Sequence, residues 1–381
     1  MTDKEAIATN AQITTTEMPS FSSMVDIPSY QGISSRAVSM NLTITEVVEH
    51  HLRVNIKTLV NCSNRPLKLM VTYFNTTDFS NNFSESLTIL LTSVMIFIAV
   101  MDVIGNALVI ASVLKNKKLR NAGNVFVINL AVGDLMVGLY TYPLVSVATL
   151  YNKWIVGDAQ CKISSMIHTL SFYISVYSIL GIAINRYCCI CYSLSYDKFY
   201  SMKSTCCYVL LIWSFSIILL IPGIVFDALQ YDERVHFCAI KFTANPTLTG
   251  TLAVLHFIIP VIIVIFCYLR IWILVIQVKY RVRQDSKQKL KPAEVRNFIT
   301  MFAVFVLFAV CWSPFSIPAL VVGLNPKGLA SELPSWLYIF GYFTASFNSC
   351  LNGIVYGVLN QNFRQEYKRI LMILFTAVSS R

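Results

Sequence analysis

Seven apolar segments dominate this sequence of 381 residues. A helix needs about 20 apolar residues to cross the roughly 30 Å of hydrocarbon in a bilayer. Each segment is long enough, and their approximate bounds are 87–114, 124–150, 160–191, 206–226, 248–276, 297–324 and 335–358. Because lipid offers no partners to backbone polar groups, such segments are helices. The sequence therefore predicts an all-α bundle of seven transmembrane helices with the termini on opposite sides.

The composition excludes a soluble enzyme. Hydrophobic residues make up 56% of the chain and charged residues 13%, whereas soluble domains carry about 25% charged residues. The apolar segments contain no paired nucleophile and base. A transporter or channel would show an inverted repeat or a polar path, and neither is evident.

The basic residues indicate the orientation of the bundle. One alternating set of loops holds 19 Lys and Arg against 4 Asp and Glu, whereas the other set, with the N-terminal region, holds 11 against 13. Lys and Arg are retained on the cytoplasmic side. We expect the N-terminus outside, the C-terminus in the cytoplasm, and a plasma-membrane location. The net charge of +11 thus reflects topology, and no nucleic-acid partner is expected.

The regions flanking the bundle differ in character. Residues 1–85 are rich in Ser, Thr and Asn and predict a disordered extracellular tail. Residues 86–359 form the seven-helix bundle, and residues 360–381 form an amphipathic helix on the inner leaflet with a short tail. Glycosylation sites are expected at the Asn-x-Ser/Thr triplets of the tail, although such triplets also arise by chance in Ser/Thr-rich sequence: Asn41, Asn61, Asn75 and Asn82.

Three of the 11 cysteines fall on the outer side, where disulfides persist. Cys161 opens the third segment and Cys238 lies in the loop before the fifth, so we expect these two to pair. Cys62 is then left over. The others lie in segments or on the cytoplasmic side and are expected to be free thiols, and none of their spacings is typical of a zinc site.

Two acids, Asp102 and Asp134, lie inside apolar segments. Ionisable groups in a membrane are costly and commonly functional. A carboxylate satisfied by neighbouring hydroxyl and amide groups and an ion or proton site both remain open for Asp134.

An ordered set of motifs follows the segments. It consists of Gly105-Asn106, Asn129-Leu-Ala-x-x-Asp134, Cys161, Asn185-Arg186-Tyr187, Trp213, Pro260 with Tyr268, Phe308-x-x-Cys311-Trp312-Ser313-Pro314 and Asn352-Gly-Ile-Val-Tyr356. Across residues 87–374 the chain resembles a rhodopsin-like (class A) G-protein-coupled receptor. Opsins need a lysine in the seventh segment for retinal, and none lies between Lys327 and Lys368.

Longer runs resemble the melatonin receptors and their orphan relative, the melatonin-related receptor. These runs are Lys115–Asn121, Asn185–Cys191, Tyr208–Trp213, Phe266–Trp272, and Phe347–Asn352 through Gln361–Arg364. The resemblance implies coupling to heterotrimeric G proteins of the inhibitory Gi/o class, a small-molecule ligand, and a receptor dimer as a further assembly.

Family positions transfer to matching residues. The resemblance implies an allosteric sodium ion, and no other cofactor, at five oxygen-bearing residues: Asp134, Ser175, Asn348, Ser349 and Asn352. It also implies G-protein coupling and activation roles for another five: Asn185, Arg186, Tyr187, Tyr268 and Tyr356. Asn185 replaces the usual Asp, and Gly353 stands where most members carry proline.

The expected ligand pocket departs from the melatonin pattern. Gly223, Phe242 and Ile240 replace the residues that hold melatonin in the family, and Ser316 replaces a further Asn. His256 and Trp312 match the family, and His168 occupies the place where amine receptors carry Asp. Two hypotheses follow: a receptor for melatonin or a related small molecule, and a receptor-like protein that binds no melatonin and acts constitutively or by pairing with another receptor.

Overall fold

The computed structural model describes residues 84–242, 244–282, 292–325 and 333–379. Eight long helices follow one another within these ranges. We name them α1 (Glu85–Lys115), α2 (Ala122–Leu150), α3 (Asp158–Cys191), α4 (Met202–Val225), α5 (Pro246–Ala253 continuing through Ile259–Val282), α6 (Pro292–Leu324), α7 (Ser335–Leu359) and α8 (Gln361–Ser379). All seven transmembrane helices thus begin and end close to the expected positions. The tail and its glycosylation sites lie outside the described residues.

Six of these helices, α1 to α6, are long and apolar enough to cross a membrane. Among the described residues α7 is a seventh helix of 25 residues, but it carries a polar face. Ser346, Asn348, Ser349 and Asn352 on this face are all buried. Mean hydropathy counts polar residues that face the bundle in the same way as polar residues that would face lipid. The buried polar residues of α7 therefore lower its mean hydropathy without exposing polar groups to lipid. The expected bundle of seven helices is confirmed.

Buried polar bonds fix the helix neighbours. The indole nitrogen of Trp213 in α4 donates to Asn129 Oδ1 in α2 at 2.8 Å, and Asn129 Nδ2 donates to Ser178 Oγ in α3 at 2.8 Å. Asn106 Nδ2 in α1 donates to the Ser349 carbonyl of α7 at 3.2 Å. Such bonds hold packed helices together in lipid, where water offers no alternative partners.

Two features interrupt the regular helices and were not expected from the sequence. A π-helical turn covers Val137–Thr141 within α2, and another covers Val254–Ile258 within α5. A π turn inserts an extra residue into a helical turn and so re-aims the side chains on it. The turn in α5 carries His256.

The outer loop between α4 and α5 forms an antiparallel hairpin. Its strands are β1 (Leu229–Asp232) and β2 (Phe237–Ile240), with Leu229 opposite Ile240. The sequence analysis predicted no strand here. Two strands of four residues are only marginally stable in isolation, so their order depends on packing and on a covalent link described below.

The helix α8 is amphipathic, as expected. Phe363 and Ile370 are buried, whereas Leu371, Met372 and Phe375 are exposed. Tyr367 donates a hydrogen bond from its hydroxyl to the Gly353 carbonyl of α7 at 3.1 Å. The exposed apolar side chains fit a helix that lies on a lipid leaflet.

Candidate functional site

A cavity opens between α3, α5, α6 and β2. The residues that line it are apolar, aromatic or uncharged polar: His168, Thr169, Phe172, Tyr173, Ala239, Ile240, Phe242, Thr249, Leu252, Ala253, His256, Phe257, Trp312, Phe315, Ser316 and Ala319. Six of the seven ligand-site residues expected from the sequence line this cavity. The seventh, Gly223, does not line it, and it lies beside Leu229. A cavity with this lining suits a small aromatic molecule without formal charge.

His168 lies where two cavities meet. It lines the outer cavity and also a smaller cavity beneath it, together with Phe172 and Trp312. Its ring packs against Phe237 of the hairpin with the ring centroids 4.9 Å apart. Its Nδ1 atom is buried and has no hydrogen-bond partner. Since an unpaired buried polar atom costs free energy, a ligand acceptor or donor at this atom would be favourable.

His256 is held by two tyrosines of α3. The hydroxyl of Tyr177 lies 3.0 Å from Nδ1 of His256, and the ring of Tyr173 stacks on the imidazole at 3.8 Å. The π turn of α5 brings the imidazole to this position. Nε2 of His256 is buried without a partner, so one polar atom of the ring remains for a ligand.

The sequence analysis missed three cavity residues on α3, namely Thr169, Phe172 and Tyr173. Phe172 packs on Trp312 with the centroids 4.1 Å apart. Phe172 lies four positions after His168, on the same face of the helix, whereas Thr169 and Tyr173 lie one and five positions after it on an adjacent face. Helical spacing from His168 would have identified Phe172 alone.

The hairpin forms the roof of the outer cavity. Cys238 of β2 is disulfide-bonded to Cys161 of α3, which confirms the expected pairing. Lys162 Nζ donates to Asp227 Oδ1 at 2.9 Å, and this contact lowers the pKa of Asp227. The guanidinium of Arg234 lies 3.7 Å from the ring centroid of Tyr338 in α7, a cation–π contact. The roof is therefore tied to both α3 and α7.

The smaller cavity contains the residues expected for sodium. Asp134, Ser175, Asn348 and Ser349 line it. Asn352 Nδ2 donates to Asp134 Oδ2 at 2.7 Å, and Ser175 Oγ donates to Asp134 Oδ1 at 3.2 Å. All five expected residues are thus close together and buried.

The donor set fits a hard cation. Asn348 Oδ1 is buried and has no hydrogen-bond partner, and carboxylate, hydroxyl and amide oxygens are the ligands that hard cations prefer. The described residues hold no cluster of three or more His, Cys, Asp and Glu suited to a metal ion.

The residues expected at the G-protein side lie at the far end of the bundle. Arg186 packs against Gly123 of α2, and its Nε is buried without a partner. Asn185 Nδ2 donates to the Tyr196 hydroxyl at 3.0 Å, while its Oδ1 is unpaired. Asn185 therefore contacts the short helix that follows α3.

The three expected tyrosines divide into two environments. Tyr268 and Tyr356 are buried, and neither hydroxyl has a hydrogen-bond partner in the structure. Tyr187 is partly exposed, and its hydroxyl lies 3.4 Å from that of Tyr192. Unpaired buried hydroxyls leave Tyr268 and Tyr356 with bonds to gain in another arrangement of the helices.

Comparison with known proteins places the chain among receptors of this architecture. The family model "7 transmembrane receptor (rhodopsin family)" matches residues 105–356. Squid rhodopsin superposes with a TM-score of 0.68 at 22% identity, covering 78% of this chain and 88% of its own. That likeness concerns the fold alone.

Several relatives match this chain at a higher sequence identity than squid rhodopsin does. Melatonin receptor type 1C of Gallus gallus is 54% identical over 286 residues, which are 75% of this chain and 83% of the relative. Melatonin receptor type 1A of Phodopus sungorus is 54% identical over 284 residues, 74% of this chain and 80% of the relative. Type 1B-B of Danio rerio is 50% identical over 281 residues, 74% and 81% respectively. With these identities and the bundle described above, the chain belongs to the rhodopsin family of seven-transmembrane receptors and, within it, to the melatonin receptor group.

Proposed function

We propose that this receptor lies in the plasma membrane with its N-terminus outside and transmits the binding of a small neutral ligand to a Gi/o heterotrimer. The orientation rests on the loop charges, 19 basic against 4 acidic on one side. In that orientation the large cavity faces the outer solution and Arg186 faces the cytoplasm.

The absence of charge around the cavity supports a neutral ligand. None of the described residues that line it is Asp, Glu, Lys or Arg. A cationic amine would lack a counter-ion there, and burying an unpaired charge is costly. His168 Nδ1, His256 Nε2 and Trp312 Nε1 are buried without partners and supply polar contacts. Melatonin or a related indole is neutral and aromatic, as this lining favours, and its hydrogen bonds would come mainly from the helices.

A second candidate function is signalling without melatonin. Ile240 and Phe242 of the roof line the cavity with apolar side chains, and Asn185 offers no carboxylate to Arg186. Both features favour a receptor that is active without a ligand or that acts in a pair with another receptor.

Radiolabelled melatonin and a cyclic AMP assay in cells that express the chain test the proposal. We expect saturable binding and a fall in cyclic AMP that pertussis toxin blocks. His168→Phe should weaken binding about 2- to 13-fold, the equivalent of one hydrogen bond of roughly 0.5–1.5 kcal/mol. His51→Phe in the tail is the matched control and should bind as the unmodified chain does. Constitutive lowering of cyclic AMP without saturable melatonin binding would instead support the second candidate.

We further propose that Asp134, Ser175, Asn348, Ser349 and Asn352 hold a sodium ion when it binds, where it would neutralise the buried carboxylate. A ligand that binds only the folded state raises its melting temperature. Replacing potassium with sodium in the buffer should therefore raise the melting temperature of the purified receptor. It should also lower the basal nucleotide exchange that the receptor catalyses on Gi. Asp134→Asn should abolish both responses.

Asp102→Asn serves as the control for this experiment. Asp102 is also a fully buried acid, in α1, but it does not line the smaller cavity. The sodium response should survive this substitution. An equal sodium response in the Asp134→Asn receptor would rule out the assignment.

A further inference from the structure

The inner end of α4 carries two adjacent free cysteines, Cys206 and Cys207. Both are exposed. The other cysteines of the described chain that form no disulfide are half-buried or buried: Cys188, Cys189, Cys191, Cys267, Cys311 and Cys350. Exposure thus separates this pair from the other described cysteines outside the disulfide.

The pair begins the lipid-facing stripe of α4. Leu210 and Leu211, four residues further along, are 66% and 63% exposed, and Ile217 and Ile218 continue the same face. Residues four apart on a helix share a face. Apolar side chains exposed in this pattern on a transmembrane helix contact acyl chains, so the two thiols point toward lipid.

The depth of the pair fits the boundary between headgroups and acyl chains. The helix begins at Met202, and Cys206 and Cys207 lie four and five residues later, about 6–8 Å along the axis at 1.5 Å per residue. The exposed Lys198 and Lys203 precede them and would contact anionic headgroups. In the orientation proposed above, this end of α4 is cytoplasmic, where thiols stay reduced.

The start of α4 is also well ordered for a modification site. Ser201 caps the helix: its hydroxyl accepts from the Ser204 backbone nitrogen at 3.1 Å, and Ser204 Oγ accepts from the Ser201 nitrogen at 3.0 Å. Such a capping box fixes the first turn. The two thiols are therefore presented at a defined depth rather than on a loose segment.

We infer that the Cys206–Cys207 pair is a site of S-acylation by a long-chain fatty acyl group donated by acyl-coenzyme A. In this reaction a thiolate sulfur of the pair attacks the acyl carbonyl and a new carbon–sulfur bond forms. The bond to the coenzyme A sulfur breaks, and the proton lost by the cysteine passes to the released thiolate. No electron transfer is involved. The acyl chain would lie along the exposed stripe of α4.

An acyl anchor on the Cys206–Cys207 pair would complement the membrane attachment of α8. The helix Gln361–Ser379 contains no cysteine, so its attachment to the leaflet depends on its own apolar side chains. Covalent lipid adds about 0.8 kcal/mol for each CH₂ group that enters the membrane. A thioester on α4 would give the cytoplasmic face of the bundle a covalent anchor on the side chain of a transmembrane helix.

Hydroxylamine-dependent mass tagging of the full-length receptor from mammalian cells tests this inference. Free thiols are blocked, thioesters are cleaved with hydroxylamine, and the released thiols are coupled to a polyethylene glycol maleimide. We expect a shift of one or two tags that requires hydroxylamine. The double variant Cys206→Ser/Cys207→Ser should lose the shift, and the single variants assign it to one residue or both.

The matched control is Cys188→Ser/Cys191→Ser, which removes two half-buried thiols and should retain the shift. The site would be refuted if the control lost the shift while Cys206→Ser/Cys207→Ser kept it. It would also be refuted if the unmodified receptor showed no hydroxylamine-dependent shift. Mass spectrometry of the unmodified receptor's peptide spanning residue 206 gives the same answer without any variant. The inference rests on the proposed orientation, so epitope accessibility and cyclic AMP are measured in parallel: an unacylated receptor that still lowers cyclic AMP refutes the acylation alone.

Discussion

Gly353→Ala is expected to destabilise the receptor strongly, although it adds a single methyl group. A Cβ atom at position 353 would lie 2.6 Å from Gly105 Cα, 2.7 Å from its carbonyl carbon and 2.9 Å from its carbonyl oxygen. All three atoms are backbone, so α1 and α7 must move apart. Overpacking of this kind typically costs about 1–3 kcal/mol, and a contact between two helix backbones belongs at the upper end. The melting temperature of the purified receptor should fall by several degrees.

Two other glycines provide graded controls. A Cβ atom at Gly105 would lie 3.4 Å from Gly353 Cα, and one at Gly223 would meet the Leu229 side chain no closer than 3.7 Å. We expect Gly105→Ala to lower the melting temperature slightly and Gly223→Ala to leave it unchanged. If Gly353→Ala were as stable as Gly223→Ala, the close contact of α1 with α7 would not contribute as described.

The variant Gly353→Pro distinguishes the effect of the close contact between α1 and α7 from the effect of helix bending. Proline removes one backbone donor and bends a helix, but it also carries a Cβ atom. The Ser349 carbonyl, four residues earlier, already accepts from Asn106 Nδ2 at 3.2 Å and would keep that partner. We therefore expect Gly353→Pro to be at least as unstable as Gly353→Ala. A stable alanine variant beside an unstable proline variant would attribute the effect to bending.

Gly353 also illustrates what the sequence could and could not predict. Its departure from the proline of most family members was evident from the sequence, but the reason lies in a contact between residues 105 and 353 that no local pattern encodes. The same holds for the two π turns, because periodicity averaged over a helix does not register one extra residue. The bounds of the helices, by contrast, follow from hydropathy, which the lipid enforces segment by segment.

The candidate site, too, was predictable from the sequence only in part. Asp134, Asn348 and Asn352 are grouped by the resemblance to rhodopsin-like receptors, which carries family positions over to matching residues. The hairpin could not be predicted, because its two short strands have little stability of their own. Phe237 of β2 packs on His168, and this contact required the folded loop.

Removal of the disulfide between Cys161 and Cys238 should have the second large effect. The bridge closes a loop of 77 residues, and disulfides typically stabilise a fold by about 2–4 kcal/mol, more for longer loops. The residues directly after Cys238, Ala239 and Ile240, line the outer cavity. The double variant Cys161→Ser/Cys238→Ser should melt several degrees lower and reach the cell surface in smaller amounts.

The loss of stability in the double variant should be greatest in the hairpin that forms the roof of the cavity. Without the bridge the hairpin keeps the Arg234–Tyr338 and Lys162–Asp227 contacts, and such partly or fully exposed charged contacts contribute little. Backbone amides of β1 and β2 should therefore exchange with deuterium much faster in the double variant, whereas those in the middle of α3 should change less. Dithiothreitol added to the unmodified receptor should reproduce both results.

Cys62→Ser is the control that tests the pairing itself. Cys62 is the third cysteine expected on the outer side, and it lies outside the described residues. Its removal leaves Cys161 and Cys238 bonded, so the melting temperature and hairpin exchange should match the unmodified receptor. If Cys62→Ser produced the loss and the double variant did not, the roof would depend on a different bridge. Rapid exchange confined to residues 229–240 in the double variant would show that the bridge, rather than strand pairing, keeps the roof closed over the cavity.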